Sequence, residues 1–352
     1  MARQVGILTG GGDAPGLNAV IRAVVKYGAG RLGWRMIGIE DSFNGLLERP
    51  LRVQPLTPIS CKGILGRGGT ILGTTNHGDP FKFPDGTGHD ADRSREVVRA
   101  LDELGLEGMI VVGGDGTMRI ARKLAQVHGI KVVGVPKTID NDLGATDITF
   151  GFQSAVDCAT DALDRLHTTA ESHDRVLVLE VMGRHAGWIA LHAGIAGGAD
   201  CIVIPEIPWH AERLCGKLEE RRAIGRPFTL IVVAEGAWPA GEIAPRRIVP
   251  GRAAQRVVDG IIARIPTVEI RVTVLGHLQR GGGPVAFDRV LATRFGIGAV
   301  DLVEADGWGQ MVRLRDGKIE GVPLADVDVN RTVDPNGELV HAAKAVGAEF
   351  GG

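Results

Sequence analysis

Ile110-Val111-Val112-Gly113-Gly114-Asp115-Gly116-Thr117 and, one helix length later, Val135-Pro136-Lys137-Thr138-Ile139-Asp140-Asn141-Asp142 decide how this sequence is read. Each block opens with a short apolar run and then turns polar at once, which predicts two consecutive buried strands with a helix over 117–128 between them. Glycines at 113, 114 and 116 let bare backbone N–H groups converge on an anion at the start of that helix. Asp115 would repel the same anion, unless a divalent cation such as Mg²⁺ lies between carboxylate and phosphate. The structural alternative is that Asp115 caps a helix starting near Thr117.

In the second block Pro136 argues against helix, and an extended or turning backbone directs Asp140 and Asp142 toward one side. One carboxylate can take a hydroxyl proton while the other orients it or raises its basicity, and Thr138 can donate to the same phosphate. An Asx-rich turn is the plain alternative.

Outward from this centre, Val5–Thr9 leads into Gly10-Gly11-Gly12-Asp13-Ala14-Pro15-Gly16, a second glycine turn before an apolar-periodic helix. Alone it is equally a packing device and an anion cradle. Strands are predicted at 5–9, 36–40, 109–113, 131–135, 176–182, 201–205, 228–234 and 268–275. Helices are predicted at 17–30, 94–104, 117–128, 152–167, 186–196, 209–223 and 253–264. This alternation is that of an α/β protein with a parallel sheet covered on both faces. Polar stretches at 76–93 and 236–252 read as surface loops. The last twenty residues read as a polar tail of modest helical character with a frayed end.

With 352 residues the chain can form two domains. The expected architecture is two Rossmann-like three-layer α/β/α domains with the active site in the cleft between them, at the carboxyl ends of the strands. Glycine, at 52 residues, is roughly twice its usual ~7% share, which favours close backbone approach to a ligand. Forty basic and 42 acidic residues leave a formal charge of −2, so no nucleic-acid or anionic-membrane footprint is visible. The four cysteines are dispersed, and no signal-peptide core or membrane-length apolar run occurs; a cytoplasmic location is expected.

With these motifs in hand the sequence resembles the 6-phosphofructokinases from Val5 to about Asp301. The resemblance rests on Gly-Gly-Asp-Ala-Pro-Gly at 11–16, Arg67-Gly68-Gly69-Thr70, the blocks at 113–117 and 137–142, Met182-Gly183-Arg184 and Gly276-His277-Leu278-Gln279-Arg280-Gly281-Gly282. It implies MgATP-dependent phosphorylation of fructose 6-phosphate at its 1-hydroxyl, with Asp140 as general base beside Asp142 and Thr138, and Arg184 stabilising the transferring group. Gly11, Gly114, Asp115, Gly116, Thr117 and Lys137 would bind the donor, with Asp115 holding Mg²⁺. Met182, Gly183, Glu235, His277 and Arg280 would bind the sugar phosphate, with Arg175 and Arg271 reaching in from a neighbouring subunit of a homotetramer. It also implies a larger donor domain, 1–150 plus about 279–329, and a smaller sugar-phosphate domain, 151–278 plus about 330–352.

The family uses either ATP or pyrophosphate. Gly116 stands where pyrophosphate enzymes resemble one another in carrying an acidic side chain, which favours ATP. Lys137 resembles the donor-binding lysine of pyrophosphate enzymes, and Asn76 stands where common bacterial ATP enzymes carry an arginine; Lys137 is expected to replace that cation. A pyrophosphate-dependent enzyme is the alternative within the family. Kinases of nucleotide or lipid acceptors share Gly-Gly-Asp-Gly-Thr but would not be expected to carry the segments at 182–184 and 276–280. A non-catalytic sugar-phosphate sensor is disfavoured by the presence of Asp115, Asp140, Asp142 and Arg184. The family's effector pocket is only partly matched, by Arg22 and Lys26, with His167 in place of an arginine and Arg226-Pro227-Phe228 near an expected lysine cluster. His173, His185 and His192 read as structural or surface residues.

Overall fold

The computed structural model describes residues 2–84, 87–243, 247–327 and 331–352. Parts of the expected loops, at 85–86 and 244–246, and the expected domain edge at 329–330 lie outside them. The elements run β1 (Gln4–Thr9), α1 (Leu17–Gly28), β2 (Arg35–Ile39), α2 (Asn44–Leu47), β3 (Val53–Leu56), β4 (Phe83–Pro84), β5 (Asp90–Ala91), α3 (Ser94–Leu104), β6 (Gly108–Gly113), α4 (Asp115–His128) and β7 (Val132–Pro136). They continue with α5 (Phe152–His173), β8 (Val176–Val181), α6 (Trp188–Ala196), β9 (Cys201–Val203), α7 (Ala211–Ala223), β10 (Thr229–Ala234), α8 (Arg252–Ile262) and β11 (Ile270–Val274). After a 3₁₀ turn at Gly276–Gln279 come α9 (Ala286–Glu304), β12 (Gln310–Arg315), β13 (Lys318–Pro323) and α10 (Glu338–Ala345). No helix of the described residues is long and apolar enough to cross a membrane.

Contacts divide the chain into two units. The larger comprises 1–139, 143–151 and 280–329; the smaller comprises 140–142, 152–279 and 330–352. The larger unit holds a seven-stranded sheet in the order β13-β12-β7-β6-β1-β2-β3. Its inner strands are parallel, whereas β3 runs antiparallel to β2 and β13 antiparallel to β12. Every residue of β6 is buried, as a central parallel strand covered on both faces demands. One face packs on α1 and α9 through Val20, Val24, Phe295 and Val300, and the other on α3 and α4 through Val97, Leu101, Ala121 and Leu124.

The smaller unit holds a four-stranded, all-parallel sheet, β11-β8-β10-β9. Strands β8 and β10 are buried throughout. Helices α7 and α8 cover one face with Leu214, Leu218, Val257 and Ile261.

Three sequence expectations need correction. The stretch 76–93 is not loop throughout, because Phe83–Pro84 and Asp90–Ala91 pair as a short antiparallel ribbon. Strands β3, β12 and β13 and helix α9 were not expected; β12 and β13, near the edge of the sheet, are interrupted by Gln310, Arg313, Arg315, Lys318 and Glu320 and lack a long apolar run. The tail does not fray. Phe350 is buried, and Glu349 N donates to Asp200 O (2.9 Å) while Glu349 O accepts from Ile202 N (2.8 Å), which lays the tail beside β9.

Candidate active site

Two glycine turns lie side by side in the larger unit because β1 and β6 are neighbours, with Thr9 in register with Val112. Gly10 N donates to Val112 O (2.9 Å) and Gly11 N to Thr75 O (3.0 Å). Gly11 takes φ 78°, in the region that favours glycine. At Gly16, φ is 112° and a Cβ would lie 2.7 Å from the Phe150 ring, so no side chain fits where the turn enters α1.

The second turn opens α4 directly. Helix α4 begins at Asp115, two residues earlier than expected, and Gly114 is its N-cap. Asp115 therefore does not cap the helix. Its carboxylate, 29% exposed, sits in the first turn and pairs with Arg119 one turn on at 2.9 Å. A Cβ on Gly116 would meet nothing within 4 Å.

Lys137 joins the two turns. Its backbone N donates to Gly113 O at 2.9 Å, and its Nζ donates to Gly12 O although the residue is 3% exposed. A Cβ on Gly11 would stand 3.3 Å from that Nζ and 4.0 Å from Asn76 Oδ1, so Lys137 and Asn76 converge on one point of the turn. Arg280 rests there too, its NH1 donating to Asp13 O at 2.9 Å and lying 2.8 Å from where a Gly12 Cβ would be.

From β7 the chain runs through Thr138, whose carbonyl accepts from Thr149 Oγ1 (2.8 Å), into Asp140-Asn141-Asp142. Asn141 has φ 52°, a conformation asparagine tolerates better than most residues, and is buried, while the two aspartates are half-buried. The segment is thus a turn around Asn141, and not an extended run.

In the smaller unit Met182, Gly183 and Glu235 follow β8 and β10 at their carboxyl ends. Glu235 N donates to Val181 O (2.9 Å) and Gly236 N to Gly183 O (3.1 Å). A Cβ on Gly236 would collide with Arg184 O, so glycine is required where the two loops touch. Arg184 itself is exposed. His277 is exposed on the 3₁₀ turn after β11. Gln279, not singled out from the sequence, is buried and accepts from Met182 N at 2.7 Å, locking this turn to the end of β8.

Arg175 and Arg271 do not join that group. Arg175 precedes the first residue of β8, Arg271 is level with Leu177 near its start, and both pair with Glu269 at 2.9 and 2.6 Å. At about 3.3 Å per residue the seven steps from Arg175 to Met182 span roughly 20 Å, beyond the reach of an arginine side chain.

His173 and His185 are exposed. His192 meets the Phe152 ring edge-on at 5.0 Å, and burial with the nearby Arg331 charge holds its pKa below the ordinary histidine value. Among the described residues no three His, Cys, Asp or Glu side chains group as a metal site. A cation at Asp115 would draw its other ligands from donor phosphates and water, which suits Mg²⁺.

The phosphofructokinase family pattern matches residues 4–303. The ATP-dependent 6-phosphofructokinase of Chloroflexus aurantiacus is 52% identical over 354 residues, covering 99% of this chain and 98% of that protein. A pyrophosphate–fructose 6-phosphate 1-phosphotransferase of Streptomyces coelicolor is 49% identical over 342 residues, covering 94% and 96%. Among solved structures, phosphofructokinase from Saccharomyces cerevisiae superposes with TM-score 0.80 at 33% identity, covering 92% of this chain and 45% of that one. Fold, motif geometry and full-length identity agree that this chain belongs to the phosphofructokinase family.

Proposed function

We propose that this chain transfers the γ-phosphoryl group of ATP to the 1-hydroxyl of fructose 6-phosphate, giving fructose 1,6-bisphosphate and ADP in glycolysis. The observation that carries the reading is Lys137: its backbone binds the second glycine turn, its ammonium enters the first, and three residues later comes Asp140. A polyphosphate held by one turn thereby has a fixed relation to the other.

In this reading the amides of Gly114, Gly116 and Thr117, with Lys137, hold the donor phosphates, and Gly11, whose own N–H goes to Thr75 O, keeps a side chain out of the space beside the Lys137 ammonium. Asp115 would hold Mg²⁺, whose charge would neutralise that developing on the phosphates when bound. As the sugar O1–phosphorus bond forms and the bond from phosphorus to the ADP oxygen breaks, Asp140 takes the hydroxyl proton, and Asp142 orients the acceptor. Thr138 donates to the transferred group, and the exposed Arg184 guanidinium offsets charge on its equatorial oxygens. Glu235 accepts from sugar hydroxyls, His277 and Arg280 grip the 6-phosphate, and Met182 and Gly183 shape the surface beneath it.

The larger unit acts as donor domain and the smaller as acceptor domain. Arg175 and Arg271, at the opposite end of β8 from Met182, serve a neighbouring subunit's sugar phosphate in a homotetramer. The enzyme works in the cytoplasm, consistent with four free cysteines.

Pyrophosphate is the second donor reading, favoured by Lys137 and by the Streptomyces coelicolor relative. ATP is preferred because Gly116 leaves open space where an acidic side chain would repel and crowd the α-phosphate. Initial rates with fructose 6-phosphate and Mg²⁺, comparing ATP with pyrophosphate at matched concentrations, test both. Product with ATP is expected; product with pyrophosphate alone overturns the donor assignment, and product with neither overturns the function. In the same assay ADP and phosphoenolpyruvate are expected to change cooperativity little. His167 is edge-packed on Phe228, with ring centroids 5.2 Å apart, and the Arg221 guanidinium lies over that same phenylalanine ring; an imidazole so engaged lacks the permanent charge and bidentate fork of the arginine it replaces. A clear shift with either effector would refute this.

A further inference from the structure

Glu206 lies just beyond β9, outside every motif, and its carboxylate is occupied by backbone. Oε1 and Oε2 accept from Gly187 N at 2.9 and 3.1 Å, and Oε1 also accepts from Val333 N at 2.8 Å. Gly187 closes the loop that carries Arg184 and precedes the first residue of α6. Val333 belongs to a short strap that reaches the carboxylate turn, because two residues earlier Arg331 N donates to Asp142 O at 2.7 Å.

The strap is held from a third side. Trp188 Nε1 donates to Arg331 O at 2.9 Å, and the Arg331 guanidinium lies 4.7 Å over the Trp188 ring. Arg331 is therefore fixed at its amide, carbonyl and side chain, and Val333 is buried. Burial pushes the Glu206 carboxyl above the ordinary glutamate range, and the N–H donors from Gly187 and Val333 oppose that shift. The carboxylate oxygens, buried at a cost that the backbone donors offset, tie the 184–187 loop and the 331–333 strap to the end of β9.

We infer that Glu206, acting with Trp188 through the 331–333 strap, is a positioning residue that sets the Arg184 loop and the Asp140–Asp142 turn in register for phosphoryl transfer. Neither side chain is asked to touch substrate. Phosphoryl transfer depends on alignment, and a displacement of about 1 Å in a reacting group costs about a hundredfold in rate. The inference rests on the proposed roles of Asp140, Asp142 and Arg184.

The test is steady-state kinetics of Glu206→Gln and Trp188→Phe, alone and combined with Asp142→Asn, with Asp140→Asn as reference. Glu206→Gln keeps shape and one acceptor oxygen but loses the charge shared by two donors. Trp188→Phe keeps an aromatic ring but loses the donor to Arg331 O and part of the face beneath the Arg331 guanidinium, so both of its holds on the strap weaken. The expected result is a fall in kcat of about tenfold to a hundredfold for Glu206→Gln and less for Trp188→Phe, with both KM values nearly unchanged. Combined with Asp142→Asn, the losses should be less than multiplicative, because both changes act on one turn. Wild-type kcat in both single variants, raised KM at constant kcat, or fully multiplicative losses overturn the inference. If Glu206→Gln fails to fold, Trp188→Phe decides alone by the same criteria. Near-normal activity of Asp140→Asn would instead overturn the functional reading beneath it.

Discussion

The glycine turns of the larger unit and the strand ends of the smaller one are suited by opposite means to the ligands proposed for them. The glycine turns are mostly backbone: Gly114 and Gly116 open α4 with amides not yet in the helix ladder, Gly10 and Gly11 give their N–H groups to Val112 O and Thr75 O and hold the first turn in place, and one buried lysine supplies the charge. The acceptor end is mostly side chain, with Glu235, Arg184 and His277 on three different loops. A polyphosphate is recognised by charge and spacing, which rigid amides match well. A sugar must be recognised hydroxyl by hydroxyl, which needs side chains that converge from separate strands. The first device is local in sequence, whereas the second exists only once the sheet has formed.

The largest effect expected from disturbing this division is at the proposed base. Asp140→Asn should lower kcat by about 10²- to 10⁴-fold with donor KM little changed, measured by following fructose 1,6-bisphosphate. Retained activity would mean that the base lies elsewhere.

The next largest concerns the arginines at the wrong end of the strands. Arg271→Ala should reduce kcat/KM for fructose 6-phosphate by about tenfold to a hundredfold and leave donor KM alone. Co-refolding Arg271→Ala chains with Asp140→Asn chains should restore activity above that of either variant, because some mixed sites would carry both intact groups. No recovery, in oligomers shown to be mixed, would return Arg271 to the surface.

A smaller effect should separate the donors. Gly116→Asp should weaken use of ATP about tenfold more than use of pyrophosphate, a difference of about 1.4 kcal/mol. The fold should tolerate it, since a Cβ at Gly116 meets nothing within 4 Å. Equal losses on both donors would show that the backbone alone, and not the open space, sets donor choice.

What was legible follows from the same contrast. Strand β6, helix α4 and the glycine turns could be read because an apolar run, glycine punctuation and an amphipathic helix are encoded within thirty residues. The fold class followed from repetition of that unit. Strands β12 and β13 escaped because Gln310, Arg313, Arg315, Lys318 and Glu320 give them no apolar run. Glu206, Trp188 and Arg331 escaped for another reason. Their partners lie from 19 to 189 residues away in sequence and match no motif, so only the assembled unit shows that they converge. Gln279 stood inside a quoted motif, yet its acceptor role at Met182 N depends on a 3₁₀ turn that spacing alone does not announce.

The tail beside β9 has a consequence of a different kind. Strand β9 ends its sheet, and an outermost strand offers a ladder of unused donors and acceptors to any other chain in extended conformation. Glu349 takes up the donor of Ile202 and the acceptor of Asp200, and Gly351 O accepts from His210 N at 2.7 Å just beyond. Three residues anchored by one buried phenylalanine thus work as a selvedge, closing the margin of the sheet against unplanned strand addition.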